Sequence, residues 1–555
     1  MGKYAIGVDF GTLSARCLVA EIGTGRELAS ATMDYAHGVM SEYLPTGERL
    51  KVGFALQHPR DYMDCIACVV PEALKKAAID PRDVVGLGID FTACTLIALD
   101  GVGEPLCFRE EFAHNPHAWV KLWKHHGAQR EANSITRLAQ ERGEAFLARY
   151  GGRTSSEWML PKIWETLNEA PDVYENTNRF MEAGDWLIMQ LTGSESHAAS
   201  TTGYKAMWSR AEGYPSGDFL KALDPRLENL VEDKLYTCIL PQGAKAGEIN
   251  ARGAAITGLR EGTAVAVTNI DAHVSMPATG SVESGSMLMI MGTSTCDIMV
   301  GDEERMVPGM CGAVQDGIVP GKLGYEAGQS CVGDHFNWFV ENCVPADYVR
   351  EADEKGMDLH MLLTEKAARL KPGESGLIAL DWWNGNRSVL VDADLTGLML
   401  GMTLNTRPEE MYRALIEATA YGARTIIETF GESGVPIKRL IACGGIARKN
   451  PFLMQIYADV LNRGIEVVRS AQAPALGAAM FGAVAAGSAG GGYDDIADAA
   501  REMGGVDDKK YMPIPENVEV YDRLYAEFKL LHDYFGRGGN DVMKRLKKIK
   551  EQQRG

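Results

Sequence analysis

Two segments, one in each half of the chain, share a pattern in which an apolar strand runs into glycine and hydroxyl residues. The first is YAIGVDFGTLS at residues 4–14, and the second is SMLMIMGTST at residues 286–295. Their likeness is one of pattern rather than of alignable sequence. A duplicated strand-and-turn unit predicts two related α/β lobes that face each other.

The stretches around these segments indicate alternating strands and helices. KYAIGVDF, ARCLVAEI and ELASATMDY are three short β-runs separated by turns, which predicts a β-meander. In the second half, a helix is predicted over 406–429, with a capping box from Thr406 to Glu409. RLIAC is predicted to be a buried strand that runs into Gly444-Gly445, and a helix is predicted to start at Asn450-Pro451.

Charge and composition exclude several classes of protein. The 555 residues include 56 basic and 75 acidic side chains, and the resulting net charge of −19 argues against partners such as nucleic acid or an anionic membrane. The longest uncharged stretch, residues 470–493, is mostly Ala and Gly, which predicts a close-packed helix rather than a membrane span. The 11 cysteines have no disulfide-framework spacing and no secretory signal is visible, so we expect a cytoplasmic protein.

Common nucleotide-site motifs are absent from the sequence. No GxxxxGK[ST] loop occurs, and no GxGxxG follows the first strand, so neither a P-loop nor a dinucleotide site is supported. The triplet DFG at 9–11 matches a protein-kinase motif, but no HRD accompanies it and the match is by chance. A nucleotide site in this chain must therefore be built differently.

The two glycine-and-hydroxyl turns are candidate phosphate sites. Each offers backbone amides and hydroxyl groups to phosphate oxygens, although an ordinary hairpin turn would use the same residues. The first comprises Gly11, Thr12, Ser14 and Arg16, and the second comprises Gly292, Thr293 and Ser294. Together the two turns would hold a polyphosphate from both lobes.

Asp9 stands beside the first turn, where a carboxylate would repel phosphate. A divalent cation between the two groups removes the conflict, because Mg²⁺ typically binds one or two carboxylates together with phosphates. Asp9 is therefore a candidate magnesium ligand.

Asp271, in TNIDAHVS, ends a strand between the two turns and is a candidate general base for phosphoryl transfer. Two alternatives remain open, a helix N-cap aspartate and a His–Asp dyad with His273. Gly444 and Gly445 would let a flat ring lie against the backbone, although a turn between strand and helix would use the same glycines without a ligand.

Taken in order, DFGTLSAR, NIDAH, MGTST and CGGIARKNPFLMQIYADVLNRGIEV resemble the FGGY carbohydrate kinases of the actin-like ATPase superfamily. Further stretches, among them IDFTACT, GGRTSSEW, GYKAMW and GYEAGQS, resemble the L-ribulokinase members of that family. The resemblance implies two actin-like (ribonuclease H-like) α/β lobes with an active-site cleft between them. It also implies phosphorylation of L-ribulose by ATP with Mg²⁺, in L-arabinose breakdown.

The resemblance assigns roles by motif position. Asp271 falls at the general base and Asp9 at the magnesium-holding acid, while the two turns fall at the phosphate motifs. Gly444, Gly445 and Asn450 fall in the adenosine motif, and Thr92, Ala93, Lys205, Asp271 and Glu326 fall in the sugar pocket. Another FGGY kinase, acting on xylulose, D-ribulose or ribitol, stays open as an alternative, as does a non-catalytic actin-like ATPase.

Three regions are expected on this basis. They are a sugar-binding lobe at 1–265, an ATP-binding lobe at 266–490 and a helical extension at 491–555. The expected partners are the sugar and ATP, and a homodimer is left open.

Overall fold

A computed structural model describes residues 2–554 of the chain. Its first large sheet has seven strands, which come mainly from the beginning of the chain. In spatial order they are Lys245–Glu248, Ala264–Ala266, Val84–Phe91, Tyr4–Phe10, Ser14–Glu21 and Glu27–Asp34, with Asn269–Ile270 also paired to Val84–Phe91. The predicted β-meander is confirmed, because the three N-terminal strands pair antiparallel in sequence order.

The second large sheet has six strands and repeats this topology. In spatial order they are Gly312–Gln315, Leu323–Gln329, Thr295–Gly301, Ser286–Met291, Arg439–Cys443 and Ile465–Val467. In each sheet, the strand before the hydroxyl turn pairs antiparallel with the strand after it and parallel with a strand from far along the chain. The predicted duplication is confirmed.

Smaller sheets and many helices complete the fold. The remaining strands are Leu56–Gln57, Leu96–Leu99, Val120–Lys121, Arg179–Glu182, His197–Ala198, Ile239–Leu240, Ile378–Leu380 and Leu398–Leu400. The α-helices of the first half are Pro59–Ala77, Gln129–Arg142, Met159–Glu169, Pro171–Asn176, Ala183–Thr192, Ala199–Lys205, Gly217–Leu223, Leu230–Lys234 and Ala251–Thr257. Those of the second half are Gly333–Cys343, Ala346–Lys355, Leu359–Ala367, Pro408–Glu432, Gly445–Lys449, Pro451–Leu461, Ala473–Ala486, Ile496–Met503, Pro515–Gly536 and Val542–Arg554.

The helix Ala473–Ala486 lies between the two large sheets, within an apolar core to which both contribute. Its approach to the first sheet is so close that a Cβ atom at Gly88 would lie 1.9 Å from the carbonyl oxygen of Ala478, and one at Gly7 would lie 1.8 Å from that of Ala475. The Ala- and Gly-rich stretch is thus the close-packed helix that its composition predicts. Within residues 2–554, no helix is both long and apolar enough to cross a bilayer.

Of the two helix starts predicted in the second half, the one at Asn450-Pro451 is confirmed, whereas the one at Thr406 is wrong by one residue. Asn450 caps the helix that follows, as its side chain accepts a hydrogen bond from the amide of Leu453 at 3.0 Å. The box predicted from Thr406 to Glu409 is displaced by one residue, because the side chain of Glu410 accepts from the amide of Arg407 at 2.7 Å. Helix Pro408–Glu432 therefore starts one residue later than the Ser/Thr-x-x-Glu pattern suggests.

The last long helix, Pro515–Gly536, packs against Pro408–Glu432. Tyr521 of the former donates to the carboxylate of Glu417 at 3.0 Å and accepts from the guanidinium of Arg413 at 2.8 Å. The division of the chain at 265 and 490 remains a prediction.

Candidate active site

Three carboxylates meet at one end of the first sheet. Asp9 and Asp90 lie directly opposite each other on the parallel strands Tyr4–Phe10 and Val84–Phe91. Asn269–Ile270 runs parallel to Val84–Phe91, and the next residue, Asp271, donates its amide to the carbonyl of Phe91 at 3.1 Å. Since parallel strands end at the same sheet edge, residues far apart in sequence form one acidic site.

The three acids have strongly perturbed pKa values. Burial raises the pKa of Asp271 to about 7, and the nearby charge of Asp9 adds to the effect. Burial also raises the pKa of Asp90 well above its ordinary value, again helped by Asp9. Burial raises the pKa of Asp9 as well. Hydrogen bonding from Asp90 and then the positive charge of Arg16 offset part of this rise. Nη1 of Arg16 lies 3.5 Å from the carboxylate of Asp9. An acid with a pKa near neutrality is suited to accept a proton at physiological pH.

Asp271 is the member of this group that is not fully buried. Its side chain is partly exposed, and its Oδ1 accepts from the amide of Ala272 at 2.8 Å. Oδ2 has no hydrogen-bond partner in the described part of the chain. The His–Asp dyad that the sequence left open does not form among these residues, since His273 points its Nε2 to Glu326 at 3.4 Å.

A divalent cation fits the Asp9–Asp90 pair. Both oxygens of Asp90 are buried and receive no hydrogen bond from residues 2–554. Two adjacent carboxylates with only one nearby guanidinium offer the hard oxygen ligands that Mg²⁺ prefers. Asp9 was a candidate from the sequence, whereas Asp90 was missed, because only the strand register places it beside Asp9.

A second set of possible metal ligands lies outside the cleft and is already occupied by other contacts. It consists of His37, His58 and Asp61. Asp61 accepts from both the amide and the ring of His37, at 3.0 and 2.7 Å. The ring of His58 accepts from the amide of Arg60 and caps a helix. These contacts account for the group without a cation.

Each hydroxyl turn is closed by a backbone hydrogen bond, which spans four residues in the first turn and three in the second. The amide of Gly11 donates to the carbonyl of Ser14 at 3.0 Å, and the amide of Gly292 donates to that of Ser294, also at 3.0 Å. Thr12 accepts from the indole of Trp123 at 3.1 Å. Each turn therefore keeps a fixed shape with its hydroxyl groups at least partly exposed.

The second turn is held by the segment that follows strand Leu323–Gln329. The amide of Asp334 donates to the carbonyl of Thr293, in the second turn, at 3.2 Å. This hydrogen bond holds the second turn against the start of helix Gly333–Cys343.

The glycines after strand Arg439–Cys443 have different surroundings. Gly444 has a φ of +95°, and a Cβ there would lie 2.4 Å from the carbonyl oxygen of Met291, so this position requires glycine. Gly445 is exposed, with no atom within 4 Å of a Cβ built there. Gly444 is thus needed for the conformation of the turn, whereas Gly445 leaves its backbone exposed to solvent.

The predicted sugar residues lie on both halves of the chain. Lys205, at the end of helix Ala199–Lys205, contacts both oxygens of Glu326 at 3.1 and 3.0 Å. Burial lowers the pKa of Lys205, but Glu326 more than compensates and the net shift is upward. Burial raises the pKa of Glu326, yet Lys205, Arg387 and His273 outweigh it and bring this pKa down to about 2. The pair is ionised and spans the two halves.

Thr92 and Ala93 lie in a loop that is held in place by several hydrogen bonds. The hydroxyl of Thr95 donates to the carbonyl of Thr92 at 2.7 Å, and the amide of Thr92 donates to Phe10 at 3.1 Å. The buried ammonium of Lys162 donates to the carbonyl of Cys94 at 2.6 Å. These hydrogen bonds fix the loop, which begins directly after Phe91 and so lies next to Asp90.

Comparison with known proteins identifies the family. The N-terminal domain of the FGGY family of carbohydrate kinases matches residues 4–276, and its C-terminal domain matches 287–486. A ribulokinase from Anoxybacillus flavithermus is 57% identical over 551 residues, which is 99% of this chain and 97% of that protein. One from Staphylococcus aureus is 40% identical over 548 residues, 99% of each.

Among solved structures, the fold is similar to that of xylulose kinase from Rhodospirillum rubrum. The TM-score is 0.78 at 24% identity, over 96% of this chain and 98% of that one. The predicted fold class, two actin-like α/β lobes, is confirmed, and the chain belongs to the FGGY family of carbohydrate kinases.

Proposed function

We propose that this member of the FGGY family is a ribulokinase, which transfers the γ-phosphoryl group of ATP to L-ribulose and forms L-ribulose 5-phosphate. The ribulokinases that resemble it over nearly the whole chain support this substrate. The observation that carries the chemistry is Asp271, a partly exposed carboxylate with an oxygen free to accept a proton. L-Arabinose breakdown is the corresponding place in metabolism.

Phosphoryl transfer requires a base, an acceptor and stabilised phosphates. Asp271 accepts the proton of the terminal sugar hydroxyl as that oxygen bonds to the γ-phosphorus. The bond between the γ-phosphorus and the oxygen bridging it to the β-phosphate breaks, and ADP leaves. Transfer is direct, with no phosphoenzyme. Both hydroxyl turns donate to the phosphates, through the residues predicted from the sequence.

Asp9 and Asp90 would hold Mg²⁺, which supplies positive charge to the phosphates of ATP. Arg16 adds a guanidinium at the first turn. Gly444, Gly445 and Asn450 form the adenosine site, in which the exposed backbone of Gly445 faces the ring. Because the side chain of Asn450 caps a helix, its part in this site is to hold the turn in place.

The sugar lies against Thr92 and Ala93, beside the ion pair in which Glu326 is the acceptor and Lys205 the donor. A polyol needs groups that donate and accept several hydrogen bonds, and an ionised pair provides both. Closure of the two lobes excludes water, which would otherwise compete as acceptor. We further propose a cytoplasmic enzyme, with a homodimer as its assembly to be tested by sedimentation.

Initial rates of ADP release across a panel of sugars test the proposal. L-Ribulose should have the highest kcat/KM when compared with D-ribulose, xylulose and ribitol. A higher value for another member of the panel would reassign the substrate within the family. ATP hydrolysis unaffected by every sugar would instead favour a non-catalytic actin-like ATPase.

A further inference from the structure

Glu326 lies between two cations that come from different parts of the chain. Lys205 of the first half contacts it from one side. Arg387, in the loop after strand Ile378–Leu380, donates from Nη2 to Glu326 Oε1. Burial lowers the pKa of the third neighbour, His273, to about 4, so this ring is neutral near pH 7 and adds no positive charge there. Arg387 is thus the second cation of the pocket, and no motif in the sequence marks it.

The loop that carries Arg387 is fixed to the strand that carries Glu326. The amide of Ser388 donates to the carbonyl of Gly328 at 3.2 Å, and the hydroxyl of Ser388 accepts from the amide of Gly328, also at 3.2 Å. The guanidinium Nε of Arg387 also donates to the sulfur of Cys311 at 3.2 Å. The position of Arg387 is therefore set before any ligand arrives.

The side chain of Arg387 is also partly exposed. The side chain of Arg387 is 33% exposed, whereas that of Glu326 is only 2% exposed. Its Nη1 group makes no hydrogen bond to the described residues. A single planar group can satisfy the buried carboxylate on one edge and the thiol on another, which the single ammonium of a lysine does with poorer geometry.

We propose that Arg387 is a positioning residue of the sugar pocket, which holds Glu326 in the orientation that accepts the hydroxyl groups of the pentulose. This inference rests on the proposed function. Without Arg387, the carboxylate keeps only Lys205 as a counter-ion and is drawn toward it, so both groups become less available to a sugar. The effect should therefore concern sugar binding rather than ATP binding.

Arg387→Gln, Arg387→Lys and a control, Arg305→Gln, test this role. Arg305 pairs with Glu303 on the surface, at 2.6 Å, with 54% of its side chain exposed. Losing a charged hydrogen bond should raise the KM for the sugar about 10- to 100-fold in Arg387→Gln. The KM for ATP should stay within about twofold of wild type, because the proposed ATP site does not include this group. Arg387→Lys should recover part of the loss, and the control should match wild type.

A double-mutant cycle with Glu326→Gln separates positioning from general destabilisation. If Arg387 acts through Glu326, adding Arg387→Gln to Glu326→Gln should change the sugar KM by less than about threefold. Additive effects, an unchanged sugar KM, or equal increases of both KM values would overturn the inference. If Arg387→Gln does not fold, Arg387→Lys is the deciding variant and should raise the sugar KM alone.

Failure of this inference is distinguishable from failure of the proposed function. Wild-type protein that releases no ADP with L-ribulose contradicts the function, and the cycle is then run with whichever panel sugar is turned over. Active wild type with an unaffected Arg387→Gln variant contradicts the inference alone.

Discussion

Replacement of Asp271 by Asn is the most direct perturbation of the proposed chemistry. In the wild type, the amide of Ala272 donates a hydrogen bond to the carboxylate of Asp271 at 2.8 Å. The side-chain oxygen of asparagine can accept the same hydrogen bond, so the local backbone should not move. It cannot take a proton from the sugar. A positioned general base contributes about 10²- to 10⁴-fold, which corresponds to roughly 3 to 5 kcal/mol in the activation barrier.

The same substitution should leave the rest of the site intact. The charge of Asp271 lies close to those of Asp9 and Glu326, and each of them raises its pKa. Removing one of three like charges relieves repulsion, so the variant should fold and bind sugar at least as well as wild type. The expected pattern is a large loss in kcat with little increase in the sugar KM.

Coupled ADP detection at saturating ATP and sugar gives kcat, and calorimetric titration gives sugar binding. Asp185→Asn is the matched control, since burial also raises the pKa of this carboxyl well above its ordinary value, outside the cleft. The control should retain kcat in its folded fraction. Near-normal turnover in Asp271→Asn, or an equal loss in the control, would refute the assignment of Asp271 as the base.

Three further predictions follow from the geometry. Because burial raises the pKa of Asp271 to about 7 and the base must be unprotonated, kcat/KM for the sugar should fall about tenfold per unit as pH drops below that value, and a flat profile down to pH 5 would contradict it. Gly88→Ala should destabilise the fold by about 2 kcal/mol or more in urea unfolding, since its Cβ would lie 1.9 Å from the carbonyl oxygen of Ala478, whereas Gly101→Ala, with nothing within 4 Å, is the control that should not. Gly445→Ala should leave stability unchanged, as the position is open, but raise the KM for ATP; an unchanged KM would argue against adenosine at this backbone.

The local sequence was sufficient to predict the two repeated lobes and the hydroxyl turn in each. A strand that ends in glycine and hydroxyl residues is a contiguous pattern, so both turns could be recognised from the residues alone. The close-packed helix at 473–486 was predictable for the same reason, since its small side chains are consecutive. Asp9 and Asp271 stood out because each acid lies at the end of a predicted strand.

The arrangement of the cleft depended on contacts between distant residues. Asp90 joins Asp9 only through the parallel register of two strands, and its own surroundings in the sequence read as a buried strand. Glu326 and Lys205 were assigned by resemblance, but their pairing, and the approach of Arg387 to the same carboxylate, are set by packing between the two halves of the chain. Residue type and local pattern determine which groups can do chemistry, whereas burial and strand register decide which charges face one another, because both are properties of the whole folded chain.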